Sequence, residues 1–331
     1  MGASVSRRAA IRALWCAACA HLVACGNLSK ENRAESPKPR MNGDDNKDAQ
    51  CVGRFRLSVP EGLAVTGRSQ SIYRVDVSTV PLPSGGAEAV WNERLPQIRA
   101  LKAPPGTADV IVRTFELEPG VPAVWYKRSP ESARLLALEA MKAVGNHVLL
   151  VSRGAEAGHE ADIETLVKIV IDAYVPSTNS GFCVGSGSIT SEPSQSENAS
   201  ISFVHQMLPD ITLSFETQTV REPNLTNPLD GVERQARDLA AKGGQLKVLR
   251  NDVRSAAGLK GMEGWISITE PGKQPLFLLA WHFQGVGGRS DQPDIALHGE
   301  AHAEHQAEME TIWEGLLKSL QAVPLSPKAP R

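Results

Sequence analysis

Three histidines near the end of the chain come closest, by type and spacing, to a chemical site. His298, His302 and His305 follow at intervals of four and three residues, which predicts three imidazoles on one face of a helix. Imidazoles with carboxylates nearby are suitable zinc ligands. The surrounding residues are rich in Glu and Ala, as on a solvated helical face, and a metal site also needs partners that orient its ligands. Metal binding is therefore the weaker alternative, and we expect no cofactor.

A serine nucleophile is the second chemistry that the sequence could carry. Residues 185–189 read Gly-Ser-Gly-Ser-Ile, which lacks the closing glycine of the Gly-x-Ser-x-Gly turn of lipases. The glycine-rich segment 285–290 lacks the lysine of a phosphate-binding loop. His282, next to Trp281 in an apolar run, has the pattern of a hydrogen-bonded core histidine. We therefore predict no catalytic residue, and the chain is expected not to be an enzyme.

The N-terminus has the pattern of a bacterial lipoprotein signal. Arg7, Arg8 and Arg12 precede an apolar run at 13–24 that is too short to cross a bilayer as a helix. The run ends in Leu-Val-Ala before Cys25, the pattern that a lipoprotein peptidase recognises. We expect residues 1–24 to be removed as a signal peptide and Cys25 to be lipidated.

The alternatives for this segment concern the anchor and the export route. Residues 1–6 fit a loose N-myristoylation pattern, which leaves the apolar run and Cys25 unexplained. The pair Arg7-Arg8 is also compatible with twin-arginine export, so the route stays open. Gly26 stands where an inner-membrane retention signal would have Asp. This favours the periplasm, at the inner leaflet of the outer membrane.

Composition limits the partners of the mature chain. Residues 25–50 are polar and read as a lipidated N-terminus and flexible tether, because they cannot bury enough apolar surface to fold. The full chain has 35 basic and 37 acidic residues and no polybasic stripe, so nucleic acid is not an expected partner. Contact with the membrane is expected through the lipid anchor only.

Two cysteines remain besides Cys25, because Cys16 and Cys19 lie in the segment to be removed. In an oxidising periplasm, an isolated pair such as Cys51 and Cys183 usually forms a disulfide. Free cysteines are also often buried as small apolar side chains. We predict the disulfide, and two buried free thiols are the alternative.

The sequence contains the same order of patterns twice. Cys51-Val52-Gly53 recurs as Cys183-Val184-Gly185. Each copy is followed by two alternating strands, a helix, further strands and an amphipathic helix that ends at a Val-Pro pair, Val175-Pro176 or Val323-Pro324. We therefore predict an α+β fold, α/β sandwich-like, with two similar domains from an internal duplication. Each domain is expected to be a mostly antiparallel sheet with two helices.

Local patterns set the predicted elements and boundaries. Apolar residues at intervals of three and four predict a helix over 160–173 and a final helix. Leu276 to Phe283 has no alternation, as in a central strand covered on both faces. Pro96 is expected to kink or break the helix in which it lies. The predicted segments are a signal peptide at 1–24, a tether at 25–50, a first domain at 51–176, a linker at 177–180, a second domain at 181–323 and a disordered tail at 324–331.

A polar loop between Gly285 and Gly299 distinguishes the second half, since the first half has only a few residues at that place. Long polar loops on a rigid scaffold often carry recognition, although a tolerated insertion without a role is equally compatible. Charged pairs steer association and set partner choice. Arg289, Asp291 and Asp294 are therefore the candidate partner contacts.

The order of several short motifs resembles a known family. They are Cys-Val-Gly-Arg-Phe at 51–55, Val-Pro-Glu-Gly at 59–62, Gly-Phe-Cys-Val-Gly at 181–185, Ile-Thr-Leu-Ser-Phe-Glu-Thr at 211–217 and Ile-Trp-Glu-Gly-Leu-Leu-Lys-Ser-Leu at 312–320. Behind a lipoprotein signal, this series resembles the type VI secretion lipase-immunity family, the Tle cognate immunity proteins of group four. The resemblance covers nearly all of the mature chain.

The resemblance implies a periplasmic protein of two similar domains that binds a cognate phospholipase or lipase toxin and protects its own membrane. It implies no enzymatic activity. Neutralisation is expected to occur by occlusion, with the two domains acting as a clamp on the toxin's substrate entrance. A metal-dependent periplasmic enzyme and a structural or ligand-binding envelope lipoprotein are the alternatives.

Overall fold

The computed structural model describes residues 49–190, 196–223, 225 and 229–325 of the chain. The predicted signal peptide, Cys25 and residues 25–48 of the tether lie outside the described residues, as does 326–331 of the predicted tail. The described part consists of mostly antiparallel strands and four α-helices, which confirms the predicted α+β class. None of these helices is both long and apolar enough to span a membrane.

Strands and helices are numbered here in chain order. The strands are β1 (Gln50–Val52), β2 (Phe55–Leu57), β3 (Leu63–Ile72), β4 (Val75–Pro81), β5 (Ile111–Glu118), β6 (Val121–Ser129), β7 (Ser132–Val144), β8 (His147–Glu156), β9 (Tyr174–Val175), β10 (Phe182–Val184), β11 (Gly187–Ile189), β12 (Asn198–His205), β13 (Thr212–Gln218), β14 (Gln245–Ala256), β15 (Leu259–Thr269), β16 (Leu276–Gln284), β17 (Asp294–His302) and β18 (Gln321–Ala322). The helices are α1 (Gly86–Arg99), α2 (Glu160–Asp172), α3 (Val232–Ala240) and α4 (Gln306–Ser319), with a short 3-10 turn, Ala303–His305, before α4.

The two halves of the chain contain the same sequence of elements. Four strands, a helix, four strands and a helix run from β1 to α2, and the same order runs from β10 to α4. Each series closes with a two-residue strand, β9 or β18. The internal duplication and its boundaries at 51–176 and 181–323 stay a prediction, since a common order of elements does not establish common descent.

The chain divides into two compact units that do not follow the two halves. The first unit contains 49–56, Ser69–Ser200 and 322–325 of the described residues. The second contains Leu57–Arg68 and Ile201–Gln321. Each unit therefore includes chain from both halves of the sequence.

The first unit is built on an antiparallel sheet with the strand order β4-β8-β7-β6-β5. Helix α2 contacts β8, β7 and β4 and buries Ile163, Val167, Val170 and Ile171. Their spacing of three and four is the one predicted from the sequence. Full burial of each such side chain contributes about 1.5–3 kcal/mol, so packing on the sheet holds this helix.

Helix α1 does not break at Pro96, one of the two outcomes expected there. It continues through Pro96 to Arg99 without a break. Ile98 is fully buried with Val124 and Tyr126 in a core cluster, where Trp91 also packs. A proline inside a helix costs about 3 kcal/mol, and this packing offsets that cost.

The predicted disulfide is present in the first unit. Cys51 and Cys183 are joined, with 5.6 Å between their Cα atoms. The backbone N–H of Cys183 donates to the carbonyl of Gly53 at 2.6 Å, and Val323 packs against the two cysteines. The two Cys-Val-Gly motifs thus meet directly, although 132 residues separate their cysteines in sequence.

The second unit has an antiparallel sheet with the strand order β14-β15-β16-β17-β13. Strand β16 is central and buries Phe277 through Trp281, which confirms the reading of its apolar run. Helix α4 contacts β17. A Cβ at Gly299 on that strand would overlap the Met309 side chain of α4, so glycine permits the close approach.

A turn with unusual residues joins β3 to β4. The sequence did not predict β3, in which a polar run of four exposed residues, 66–69, interrupts the apolar pattern. Tyr73 and Arg74 form the two-residue connection, with φ of 54° and 60°. Two-residue hairpins with positive φ at both positions favour Asn-Gly, and a non-glycine residue there costs about 1–2 kcal/mol. The chain therefore holds two bulky side chains in a strained turn.

Candidate partner-binding loop

The predicted recognition loop connects β16 to β17 in the second unit. It spans 285–293, because β17 already begins at Asp294. Backbone hydrogen bonds hold it at two points: the N–H of Val286 donates to Gln292 and that of Gly288 donates to Val220, each at 2.8 Å. A Cβ at Gly287 would overlap the carbonyl oxygen of Arg221. The loop is therefore held against its neighbouring segment by its own backbone.

Arg289 and Asp291 lie together at the exposed part of this loop. The Nε of Arg289 donates to Oδ1 of Asp291 at 3.0 Å, and Nη2 makes a second bond to Oδ2. The two side chains are 51% and 35% exposed. The hydrogen bond and charge of Asp291 raise the pKa of Arg289. This pair and the exposed Val286 are available to a protein partner.

Asp294, the third candidate contact, lies apart from the other two. It is 6% exposed, and its carboxylate lies 3.2 Å from Nε2 of His282. A Cβ at Gly285 would come within 2.6 Å of the Asp294 backbone nitrogen. The carboxylate therefore fixes the base of the loop through the core histidine predicted at position 282, and it does not face outward.

The three histidines do not share a helical face, contrary to the sequence-based interpretation. His298 and His302 lie on strand β17, and His305 lies in the 3-10 turn after it. The segment is a strand because it pairs with β13 and β16 on its two sides, and this pairing outweighs the helix propensity of its Ala and Glu residues. Within the described residues, no group of three His, Cys, Asp or Glu side chains is placed to hold a metal ion.

Two of these histidines have pKa values shifted in opposite directions. Burial, and then the nearby His282, lower the pKa of His298 to about 4, while Asp294 opposes the shift. His305 donates from Nδ1 to Asp210 at 2.8 Å, and this hydrogen bond raises the pKa of His305. The first histidine is therefore neutral, while the second is an ion-pair partner of Asp210.

A serine and a histidine do meet in the first unit. Oγ of Ser186 lies 2.8 Å from Nε2 of His147. Ser186 stands in the turn between β10 and β11 rather than at a strand-to-helix elbow. Among the described residues, no carboxylate contacts the other ring nitrogen of His147. The pair therefore lacks the group that orients histidine in a catalytic triad.

A buried carboxylate of the second unit was not predicted from the sequence. Glu263 is 2% exposed and accepts hydrogen bonds from Arg250 at 3.1 Å, Arg254 at 2.9 Å and the indole N–H of Trp313 at 2.7 Å. Arg254 also makes two bonds to Glu314 of α4. The network links β14, β15 and α4, and its role is structural.

The first unit contains a comparable network around Glu139. Arg94 of α1 donates two hydrogen bonds to this carboxylate, both at 2.7 Å, and the Tyr126 hydroxyl donates at 2.6 Å. Burial and then Glu139 raise the pKa of Tyr126. Charged residues in amphipathic strands and helices normally face solvent, so no sequence pattern identified these partners.

Comparisons with known proteins agree with this architecture. Residues 175–324 match the family of Tle cognate immunity protein 4 C-terminal domains, which confirms the resemblance predicted from the sequence. The apo structure of immunity protein TplEi of T6SS from Pseudomonas aeruginosa has 14% identity and a TM-score of 0.67, covering 84% of this chain and 97% of that chain. A chain of the Tle4-Tli4 complex has 14% identity and a TM-score of 0.68, with coverages of 85% and 99%. At this identity the structures show a common fold, and no curated protein sequence matches the chain.

Proposed function

With residues 175–324 matching the family of Tle cognate immunity protein 4 C-terminal domains, we propose that the chain is an immunity protein. It binds a cognate phospholipase or lipase effector of a type VI secretion system and neutralises it by occlusion. The family match carries this proposal. One structural relative is a chain of the Tle4-Tli4 complex, which supports the choice of a lipase effector as the partner.

The loop at 285–293 is the proposed recognition element, and it lies inside the matched region. Its backbone is tied to Val220, so little conformational freedom is lost when a partner binds. Arg289 and Asp291 supply exposed charges that set orientation, and Val286 supplies an apolar contact. Asp294 is proposed to act by holding the loop base.

The loop alone is too small for a stable complex. Specific protein interfaces bury about 1,600 Å², more than a loop of this length can supply. We therefore propose that residues of both units contact the effector. Separate fragments cut at 176 and 181 are a poor test of this point, because each unit includes segments from both halves of the chain.

The periplasm is the proposed compartment, with lipidated Cys25 as the anchor at the inner leaflet of the outer membrane. The disulfide between Cys51 and Cys183 supports this location, because such bonds persist in oxidising compartments and are rare in the cytosol. Loss of palmitate labelling and of membrane fractionation in Cys25→Ser is the expected result. A variant that still fractionates with membranes after labelling is lost contradicts the anchor.

The decisive experiment uses the lipase effector that the proposed function expects to be encoded beside the gene. The full mature protein is expected to co-purify with this lipase and to stop its hydrolysis of phospholipid vesicles at a stoichiometric ratio. If the wild-type protein neither binds nor inhibits the neighbouring lipase, the proposed function is wrong.

A matched pair of variants tests the loop. The double variant Arg289→Ala, Asp291→Ala should bind the lipase about tenfold or more weakly, because it loses two charges that are proposed to orient the partner. The control is Glu270→Ala with Lys273→Ala, which removes another exposed ion pair of the second unit in a different turn. Equal affinities of both double variants and the wild-type protein would exclude the loop as a contact.

A further inference from the structure

A turn of the second unit presents an uncharged, largely apolar tip to solvent. It connects β12 to β13, and residues 206–209 read Gln-Met-Leu-Pro. These four residues are called the 206–209 tip. Met207 is 82% exposed, more than any other large apolar side chain among the described residues. Single exposed apolar residues are common on protein surfaces, so the contacts that hold the turn decide whether this one is built for binding.

The side chain of His205 holds the turn from its buried side. His205 is 9% exposed, and its Nδ1 accepts hydrogen bonds from the backbone N–H groups of Met207 at 3.3 Å and Leu208 at 3.1 Å. The backbone N–H of His205 donates to the carbonyl of Ile211 at 3.0 Å, and the N–H of Ile211 donates to the carbonyl of Leu208 at 2.9 Å. One imidazole therefore fixes the backbone of two residues of the tip.

A second turn of the same unit supports the first. It contains the Val-Pro-Glu-Gly motif at 59–62, one of the motifs on which the family resemblance rests. The carbonyl of Gly62 accepts the N–H of Gln206 at 2.8 Å. Gly62 has a φ of 88°, and a Cβ there would lie 2.6 Å from Nε2 of His205. Glycine is therefore needed for the backbone conformation and for the approach of the imidazole.

Asp210 ties the end of the turn to a third segment. Its Oδ2 accepts hydrogen bonds from the backbone N–H of His302 at 3.0 Å and from Nδ1 of His305 at 2.8 Å. The turn is thus bonded on both sides of Met207. A tip held in this way loses little conformational freedom when it binds, as suits an anchor that inserts into a partner.

We propose that the 206–209 tip enters the apolar cleft in which the lipase effector binds the acyl chains of its substrate. The proposal rests on the proposed function and names the element that occludes the lipase. Methionine is enriched at protein interfaces, and its unbranched side chain adapts to apolar pockets. The exposed Arg289–Asp291 pair is a poorer fit to such a cleft, because its two charges would lose their hydration there.

The tip and the recognition loop at 285–293 can contact one partner together. The tip ends shortly before β13, and the loop is bonded to Val220, shortly after it. They therefore lie at opposite ends of this strand, whose seven residues span roughly 23 Å. One side of an interface of standard size, about 800 Å², is on the order of 30 Å across. Such an interface includes both elements.

A membrane surface is the other apolar environment that could receive the tip. Segments that lie in a membrane interface combine apolar side chains with Lys or Arg. The charged residues that flank the two turns are acidic, Glu61 and Asp210, and Glu61 is exposed. An anionic bilayer repels such a surface, so the cleft of the effector is the better fit.

Affinity for the lipase effector that the proposed function expects to be encoded beside the gene tests the tip. Met207→Asp should bind about tenfold or more weakly, because the new charge would have to leave water for an apolar cleft. Its urea-unfolding midpoint should stay that of wild type, because the side chain is exposed. Val253→Asp is the matched control: it adds the same charge at another exposed apolar position of the second unit, 67% exposed, and should bind within about twofold of wild type.

The outcomes separate this proposal from the proposed function. Affinities of Met207→Asp and Val253→Asp within about twofold of each other overturn the proposal and leave the proposed function standing. A wild-type protein that does not bind the lipase overturns both.

A second pair of variants tests His205 as a positioning residue. His205→Asn places an oxygen where Nδ1 stands, so it can accept the two N–H bonds as in an Asx turn, whereas His205→Ala cannot. Both variants lose the ring beside Gly62, so their difference reports the acceptor alone. His205→Asn should bind the lipase about threefold or more tightly than His205→Ala, as expected when hydrogen bonds that hold the tip are kept. Equal affinities overturn this role.

Two probes identify the surface that the tip enters. Hexadecylphosphocholine, a single-chain phospholipid analogue without an ester bond, should compete with the wild-type protein for the lipase below its micelle concentration, while phosphocholine, the head group alone, should not. Unchanged binding at a concentration that stops phospholipid hydrolysis overturns the proposal. Capture of the Cys25→Ser protein by phosphatidylglycerol vesicles that Met207→Asp abolishes, with lipase binding unchanged, overturns it in favour of a membrane surface.

Discussion

The two units contain similar elements but differ in their covalent links and in the burial of the glutamate that bonds to a tryptophan. The first has a covalent link, Cys51–Cys183, and its Glu164 is a partly exposed carboxylate bonded to Trp125 and Arg113. The second has no disulfide among its described residues and places Glu263 at 2% exposure. In the first unit tryptophan lies on a strand and glutamate on a helix; in the second, Trp313 lies on a helix and the glutamate on a strand.

The disulfide and the buried carboxylate act on different states of the chain, the unfolded state and the native state. A disulfide acts mainly by restricting the unfolded chain. A buried carboxylate acts in the native state, where loss of any partner leaves an uncompensated charge. The first unit also contains buried ion pairs, Arg54–Glu197 and Arg94–Glu139, so both units should respond to removal of a single buried charge. Among the described residues, only the first unit has a disulfide that a reducing agent can break.

Loss of the disulfide should have the largest effect. In the entropy model, closing a loop of 132 residues stabilises the native state by about 5 kcal/mol. Replacement of Cys51 and Cys183 by serine should lower the free energy of unfolding by about this amount, measured by urea denaturation. The wild-type protein with dithiothreitol should lose a similar amount, and a reducing agent without effect on wild type would contradict the prediction.

Removal of the buried charge of Glu263 should have the second-largest effect on stability. Glu263→Gln leaves Arg250 and Arg254 facing a neutral amide, and breaking a buried ion pair costs about 3 kcal/mol or more. The expected result is a drop of this size in the free energy of unfolding relative to wild type, and the difference should be the same with and without dithiothreitol. The control is Glu233→Gln at an exposed position of helix α3, which removes the same charge and should leave stability within about 0.5 kcal/mol. Equal losses for the two variants would show that burial of the Glu263 charge is not what matters.

A pH-dependent effect is expected in the second unit. His298 has a folded pKa of about 4 against 6.5 for the free side chain, so the native state resists its protonation. Its contribution to stability is complete above pH 6.5 and is lost as the pH falls towards 4. The raised pKa of His305 acts in the opposite sense, since its contribution is lost as the pH rises. His298→Gln should flatten the acid limb of a urea-unfolding pH profile, while an unchanged slope would contradict the assignment.

The smallest effect is expected at the partly exposed carboxylate of the first unit. Glu164 is 24% exposed and bonds to Arg113, which is 50% exposed, so solvent screens the pair. Glu164→Gln should cost about 1 kcal/mol, mainly through a weaker bond to the Trp125 indole at 2.7 Å. A loss as large as that of Glu263→Gln would remove the contrast between the buried and the partly exposed carboxylate.

Several elements could be predicted because their patterns reflect burial on a single sheet or helix face. Helix α2 has its apolar residues at intervals of three and four, and β16 has a continuous apolar run. Strand β3 could not be predicted in this way, because residues 66–69 are exposed and their strand conformation comes from pairing. The segment around His298 was predicted as a helix because its Ala and Glu residues favour helices. It is a strand because it pairs with β13 and β16.

The sequence by itself determined the α+β class, the two cysteines that pair, the position of the polar loop and the family resemblance. These depend on local periodicity, composition and motif order. Only the tertiary structure decided that Asp294 faces inward and that Glu263 is surrounded by two arginines and a tryptophan. Such groupings join residues distant in the chain, and their energies arise from desolvation and charge at close range, which no local pattern encodes.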